Sequence, residues 1–243
     1  MVRASARGVA FDVLVQVLLD DAYANLVLPK ALDQSDLSAR DRALATELVY
    51  GTSRRAGELD LVIAAASGRS PDQLDREVLT ILRMAVYQLL FLRIPDHAAV
   101  AESVSLAKEK GLARASGLVN AVLRNVTRGE DGQWAAIIED SHGVVESHPA
   151  WIAQRIEEAL AHTGDAKDAR DALRAHNESP RVTLAHLPGL SVASTGHTDF
   201  SPIGEVLEAG NPADVPGVSQ GRVRVQDEGS QLAALALGRY APL

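Results

Sequence analysis

Glu77-Val-Leu-Thr-Ile-Leu-Arg-Met-Ala-Val-Tyr-Gln-Leu-Leu-Phe-Leu92 is the most apolar stretch of the chain, and its reading decides the fold. Val78, Leu82, Ala85, Val86 and Leu89 recur at intervals of three and four, so a helix here has a wide apolar face that neighbours must cover. The run falls short of the ~20 consecutive apolar residues of a membrane span, and Arg83 and Gln88 interrupt it. It therefore predicts the central helix of a soluble helical core.

Working outward, the flanking text supplies helices to cover that face. Ser70-Pro71 is an N-cap and N1 pair before it. After it, Pro95 breaks the chain, Asp96 is placed as a cap, Val100, Val104 and Ala107 form the next stripe, and Gly111 stops it. Ser116 to Arg128 reads as a further helix ending at Gly129. Upstream, Val9, Val13 and Val17 place a helix over Ser5 to Leu19. Ser38 with Asp41 reads as a capping box opening a helix through Leu44, Leu48 and Val49, with Gly51 at its end or at a kink. Leu59 to Ala66 is helical up to Gly68. The count is roughly six or seven helices joined by short loops, with no repeat of solenoid length.

Residues 129–147, with Gly129, Gly132 and Gly143, read as a linker, which places a domain boundary near 140. Beyond it, helices are predicted over Pro149 to His162 and Asp165 to His176. Then come a strand over Arg181 to Leu187, a Gly-, Pro- and Ser-rich stretch from Pro188 to Gly221, a strand over Arg222 to Val225 and a helix from Glu228 to Leu237. The fold class is mainly α, with an all-α domain at 1–140 and a smaller mixed α/β part at 141–243. Trp134 and Trp151 are expected to pin the linker to its neighbours, and Tyr23, Tyr50 and Tyr87 to pack among helices.

Composition agrees: 47% hydrophobic residues can build cores, while 4% aromatics disfavour a sandwich or barrel. The absence of cysteine excludes disulfides, thiolate metal sites and cysteine nucleophiles within this chain. The net charge of −8 argues against coating nucleic acid by bulk electrostatics, so a basic surface has to be assembled by folding. Gly217-Val-Ser-Gln-Gly221 matches the G-x-S-x-G pattern of a nucleophile elbow, but it follows turns and precedes a strand, the wrong context for that chemistry. The histidines show no metal-ligand spacing, so no metal is expected. The N-terminus lacks the uninterrupted apolar region of a leader, so a cytoplasmic protein with no membrane partner is expected.

Several segments set arginines beside tightly patterned helices: Arg7-Gly-Val-Ala-Phe-Asp-Val-Leu14, Arg40-Asp-Arg42, Val49-Tyr-Gly-Thr-Ser-Arg-Arg55, Ala98-Ala-Val-Ala-Glu-Ser-Val-Ser-Leu-Ala-Lys108 and Leu118-Val-Asn-Ala-Val-Leu-Arg124. In this order, and up to about residue 130, they resemble the NusB family of all-helical RNA-binding and antitermination factors. Ser147-His-Pro-Ala-Trp151 and Gly221-Arg-Val-Arg-Val-Gln-Asp-Glu-Gly-Ser-Gln-Leu232 are similar to segments that follow such a domain in the Sun/Fmu family of bacterial small-subunit rRNA cytosine-C5 methyltransferases. That resemblance implies 16S rRNA as partner, with ribosomal assembly intermediates as a further candidate. It also implies a catalytic domain, carrying an S-adenosylmethionine loop and two cysteines, that this chain does not include. No cofactor loop and no cysteine stand in the sequence, so no methyl transfer is expected of it and no cofactor is assigned to it.

For RNA contact, the resemblance puts Arg3 and Arg7 on the binding face. Arg124 and Arg128 sit at i, i+4, a spacing that can clamp neighbouring phosphates. Lys108, Lys110 and Arg114 cluster at a helix end, and Arg40, Arg42, Arg54 and Arg55 complete the candidate set. Pairing with nearby acids such as Asp12, Asp41, Glu47 or Glu109 is the competing reading of each. Gln226 and Asp227 are candidates to support the cofactor pocket of the complete enzyme, with a helix cap as the alternative. Two other functions stay open: a non-catalytic antitermination factor binding RNA and a ribosomal protein, and a helical protein-interaction module that touches no RNA.

Overall fold

The computed structural model describes residues 5–140, 147–163, 169–190, 197–208, 210 and 212–240. Contacts divide the chain into two compact units, residues 1–178 and 179–243.

The first unit is helical: α1 (Ala6–Leu19), α2 (Ala24–Asp33), α3 (Ala39–Arg54), α4 (Ala56–Ser67), α5 (Arg76–Phe91), α6 (Asp96–Glu109), α7 (Ser116–Thr127), α8 (Gln133–Asp140), α9 (Ala150–Thr163) and α10 (Ala169–His176). The predicted central helix is α5. Asp75 caps it by accepting from the Glu77 and Val78 N–H groups. It contacts α1, α3, α4, α6 and α7, and Ile81, Leu82, Met84, Ala85 and Val86 are fully buried. Arg83, the one charge inside the run, forms a bidentate pair with Asp60 on α4 at 2.6 Å for each bond. Gln88, wholly buried, donates to the Met84 carbonyl.

Local signals hold where they are local. Ser5 caps α1 by accepting from Gly8, Ser38 caps α3 by accepting from Asp41, and Gly68 closes α4 at φ +67°, a left-handed conformation that suits glycine. Elsewhere the packing overrules the pattern. Helix α3 runs through Gly51 without ending, and the glycine is there because the Tyr87 ring lies against that position, where a Cβ would collide with it. Asp96 is the first residue of α6 and makes no cap; Pro95 occupies the cap position. Helix α2 carries Pro29 inside it and lacks a side-chain cap, so its sequence reads as a break; burial of Leu28 and Leu32 one turn apart stabilises it nonetheless.

The segment read as a linker contains α8, whose Trp134 indole donates to the Val126 carbonyl at 2.9 Å and lies against Gly129. Residues 141–146 of that segment, and the predicted start of the next-to-last helix at 164–168, lie outside the described residues. Against expectation Trp151 is 68% exposed and Tyr23 73% exposed, whereas Tyr87 is buried as expected.

The sequence places a boundary near residue 140, while the first compact unit closes at Glu178. A buried carboxylate explains the difference. Glu58, 1% exposed in the first turn of α4, accepts from Arg55 at 2.6 Å and from the buried Asn177 amide at 2.8 Å. The Glu58 N–H donates to the Ser147 hydroxyl, which thus caps α4 from 89 positions away where Arg55 offers no side-chain cap. Arg170 and Arg174 on α10 add ion pairs to Glu139 on α8.

The second unit is a three-stranded antiparallel sheet, β1 (Thr183–His186), β2 (Gly204–Val206) and β3 (Val223–Val225) in the order β2-β1-β3, with α11 (Glu228–Tyr240) against β1. Leu184 faces Glu205 on one side and Val225 on the other. Strand β2 falls in the Gly-, Pro- and Ser-rich stretch, where the sequence pattern places no strand. Gln231 is wholly buried and joins helix to sheet: it accepts from Ser201 at 2.7 Å and donates to the carbonyls of Gln226 at 2.8 Å and Leu184 at 3.3 Å. Glu228 accepts from Thr198 and from the Phe200 and Ser201 N–H groups, which holds its carboxyl below the ordinary range. Gly217 and Gly221 sit in left-handed turns that run into β3, so the G-x-S-x-G match is no strand-to-helix elbow.

Asn177→Ala withdraws one partner from a buried carboxylate. It is expected to lower the unfolding free energy of residues 1–178 by about 1–3 kcal/mol, read as a shift in urea midpoint at unchanged slope.

Candidate nucleic-acid interface

The basic residues singled out in the sequence divide into those the fold uses internally and those it leaves in solvent. Arg7, half-buried on α1, donates from Nε to the Gln88 carboxamide at 2.8 Å. Burial pushes its pKa down, and the Glu102 carboxylate opposes that shift. Arg42 donates to the Leu32 carbonyl and to Asp33 at 2.9 Å, closing the end of α2. Arg55 is held by Glu58 and lies over the Phe91 ring at 4.3 Å. Arg54, half-buried, acts electrostatically on the Tyr87 hydroxyl together with Arg55. That hydroxyl donates to Glu47 at 2.5 Å, and burial followed by the Glu47 bond raises its pKa.

Lys110 pairs with Asp12 at 2.6 Å and sits 5.5 Å from the Phe11 ring, so the middle of α1 and the end of α6 meet. Around that meeting point Lys108 and Arg114 are exposed, and their side chains have no hydrogen-bond or ion-pair partner among the described residues. The same holds for Arg40, in the first turn of α3, and for Arg128, just past α7. Arg124 is exposed and bound only at 3.3 Å, to Asn120 one turn before it. Arg3 lies outside the described residues.

Helices α6 and α7 run antiparallel through the short turn that carries Arg114. Solvent-facing cations therefore stand at both ends of this hairpin: Lys108 and Arg114 at the turn, Arg124 and Arg128 at the open end. Between the two helices lies a groove of about 570 Å³ lined by Asp96, His97, Val100, Ala101, Val104, Asn120, Arg124 and Thr127. Sequence reading found Arg124 by its spacing but missed Asp96, His97 and Asn120 as its companions. The Asn120–Arg124 spacing was visible; the opposing helix start was not, since only antiparallel packing brings it there.

Gln226 and Asp227, the candidates to support a cofactor pocket, are both engaged within the second unit. The Asp227 carboxylate accepts from the Gly229 N–H at the start of α11, the role of a helix cap. Gln226 is tied through its backbone to Thr183 and Gln231. A cavity of about 50 Å³ beside them lies between Arg181, Thr183, His197, Thr198, Asp199, Val206 and Glu228. Among the described residues no cluster of acids and histidines could hold a metal ion, and no helix is long and apolar enough to cross a membrane.

Residues 4–128 match the NusB family. The chain belongs to that family. The NusB-like part therefore covers α5 with the helices packed on it, and every solvent-facing cation named above lies within it. Relatives extend the likeness through the second unit. A protein of Mycobacterium tuberculosis named as a methyltransferase is 40% identical over 96% of this chain and 54% of its own length. The ribosomal RNA small subunit methyltransferase B of Pseudomonas syringae pv. tomato is 35% identical over 94% of this chain and 52% of its own, and that of Pseudomonas putida is 34% identical over 94% and 53%. The chain thus spans about half the length of the curated relatives it matches. The crystal structure of PH0851 shares the fold, with a TM-score of 0.62 at 15% identity over 97% of this chain and 56% of that one.

Arg7→Ala leaves the buried Gln88 carboxamide without its donor. Stability is expected to fall by about 1–3 kcal/mol in chemical denaturation, whereas Lys108→Ala, at a partnerless exposed cation, is expected to change it by less than about 0.5 kcal/mol.

Proposed function

We propose that this chain is the RNA-binding portion of an S-adenosylmethionine-dependent rRNA (cytosine-C5)-methyltransferase, positioning small-subunit rRNA for catalytic residues that lie outside this sequence. One observation carries the reading: proteins named as small-subunit rRNA methyltransferases align with 94% or more of the chain, through both units, and not with its NusB-like part alone. A free-standing antitermination factor has no use for the second unit, which makes that alternative the weaker one.

The geometry supports RNA as the ligand. A chain with net charge −8 cannot hold RNA by bulk attraction, yet Arg40, Lys108, Arg114, Arg124 and Arg128 stand in solvent on the NusB-like helices. Phosphate contacts from such groups fix register and orientation, the task of a positioning domain. Methylating C5 of cytosine by the covalent route needs a thiolate, and the chain has no cysteine, so that nucleophile belongs to residues beyond this sequence. Cytoplasmic ribosomal assembly intermediates are the setting this reading implies.

Fluorescence titration of a small-subunit rRNA fragment across a salt series tests it. Affinity is expected to fall steeply with salt, and the Lys108→Ala, Arg114→Ala double variant is expected to reduce the log–log slope by about 1 for each phosphate that is no longer neutralised. The chain alone is expected to transfer no labelled methyl group from S-adenosylmethionine to that RNA. Salt-independent binding, or methyl incorporation by the pure chain, overturns the reading.

A further inference from the structure

We propose that the groove between α6 and α7 receives a single unpaired RNA nucleotide, an inference that rests on the RNA-binding reading above and names what part of the RNA this site takes. The groove lies at the open end of the hairpin and is distinct from the Lys108–Arg114 turn. Its volume of about 570 Å³ lies within the ~300–1,000 Å³ of clefts that bind small organic groups. A base with its sugar fits such a space.

The lining is divided as a nucleotide is divided. Val100, Ala101 and Val104 make an apolar wall on α6 suited to the face of a base. Arg124 stands at the rim with only a 3.3 Å bond to Asn120, so its guanidinium is free to pair with a phosphate. Arg128, one turn further and partnerless among the described residues, extends the cationic track for the next phosphate. Asp96 lines the same groove and repels phosphate, while its carboxylate can accept from the N–H groups of a base edge. The two charges therefore set one orientation, phosphate toward Arg124 and base toward Asp96. Asn120, Thr127 and His97 add further hydrogen-bonding groups between them.

Two variants separate this site from the rest of the RNA surface. Ala101→Trp fills the groove from an exposed position on α6, and Arg124→Gln removes the cation at its rim without touching the core. Both are compared with the parent chain for binding a short fluorescent single-stranded RNA and the same strand in a duplex, with thermal melts confirming the fold. Each variant is expected to weaken single-strand binding about fivefold to tenfold, and to weaken it more than duplex binding; Arg124→Gln also lowers the salt slope by about 1. If both variants bind the single strand as the parent does, while Lys108→Ala, Arg114→Ala loses affinity, the groove proposal falls and the RNA-binding reading stands. If the parent binds neither RNA, both fall.

Discussion

Covering helix α5 is the constraint from which the rest of the first unit follows. Val78, Leu79, Ile81, Leu82, Met84, Ala85, Val86 and Tyr87 are all buried, so this helix needs neighbours around most of its circumference, and α1, α3, α4, α6 and α7 supply them. Its polar atoms are answered as strictly as its apolar ones are covered. Asp60 answers Arg83, Arg7 answers Gln88 and Glu47 answers Tyr87. This accounting sorts the arginines. Those near α5, such as Arg7 and Arg55, are drawn into the interior's hydrogen bonding, and those on the outer rows of α3, α6 and α7 keep their charge in water, where RNA can reach it.

A second buried polar group extends the unit beyond the matched NusB region. Glu58 sits where helix α4 begins, and its carboxylate and amide are satisfied by Arg55, Asn177 and Ser147. Two of these partners come from beyond residue 128, the last residue of the family match. A charge this deeply buried is costly unless fully hydrogen-bonded, so the segment bearing Ser147 and Asn177 completes the helical unit instead of hanging from it. The Ser147-His-Pro-Ala-Trp151 stretch thereby gains a physical purpose: its serine serves as a helix cap.

Much of the fold was legible because its signals are local. Ser5, Ser38, Gly68 and Gly111 bound helices within a few residues of themselves, and the apolar rows of α1, α5, α6 and α7 repeat at the helical period. What stayed hidden depends on distant partners. Helix α2 is kept by Leu28 and Leu32 entering a core made elsewhere, α8 by the bond from Trp134 to Val126, β2 by its register against β1, and Glu58 by residues 89 and 119 positions away. The candidate site divides the same way. The i, i+4 pair of Arg124 and Arg128 could be read from spacing, but whether a given arginine is free or already paired is a property of packing, which is why Arg7, Arg42 and Arg55 look alike to Arg40 in the sequence and differ from it in the structure.

In the proposed function, an acidic chain grips RNA through a few cations that helix packing places on the NusB-like part. Ultraviolet crosslinking of the chain to small-subunit rRNA, with the attached peptides identified by mass spectrometry, tests this most directly. Crosslinks are expected on peptides of α6, the turn carrying Arg114, and α7. Crosslinks confined to residues 179–243, or none at a concentration where the RNA is bound, would contradict it.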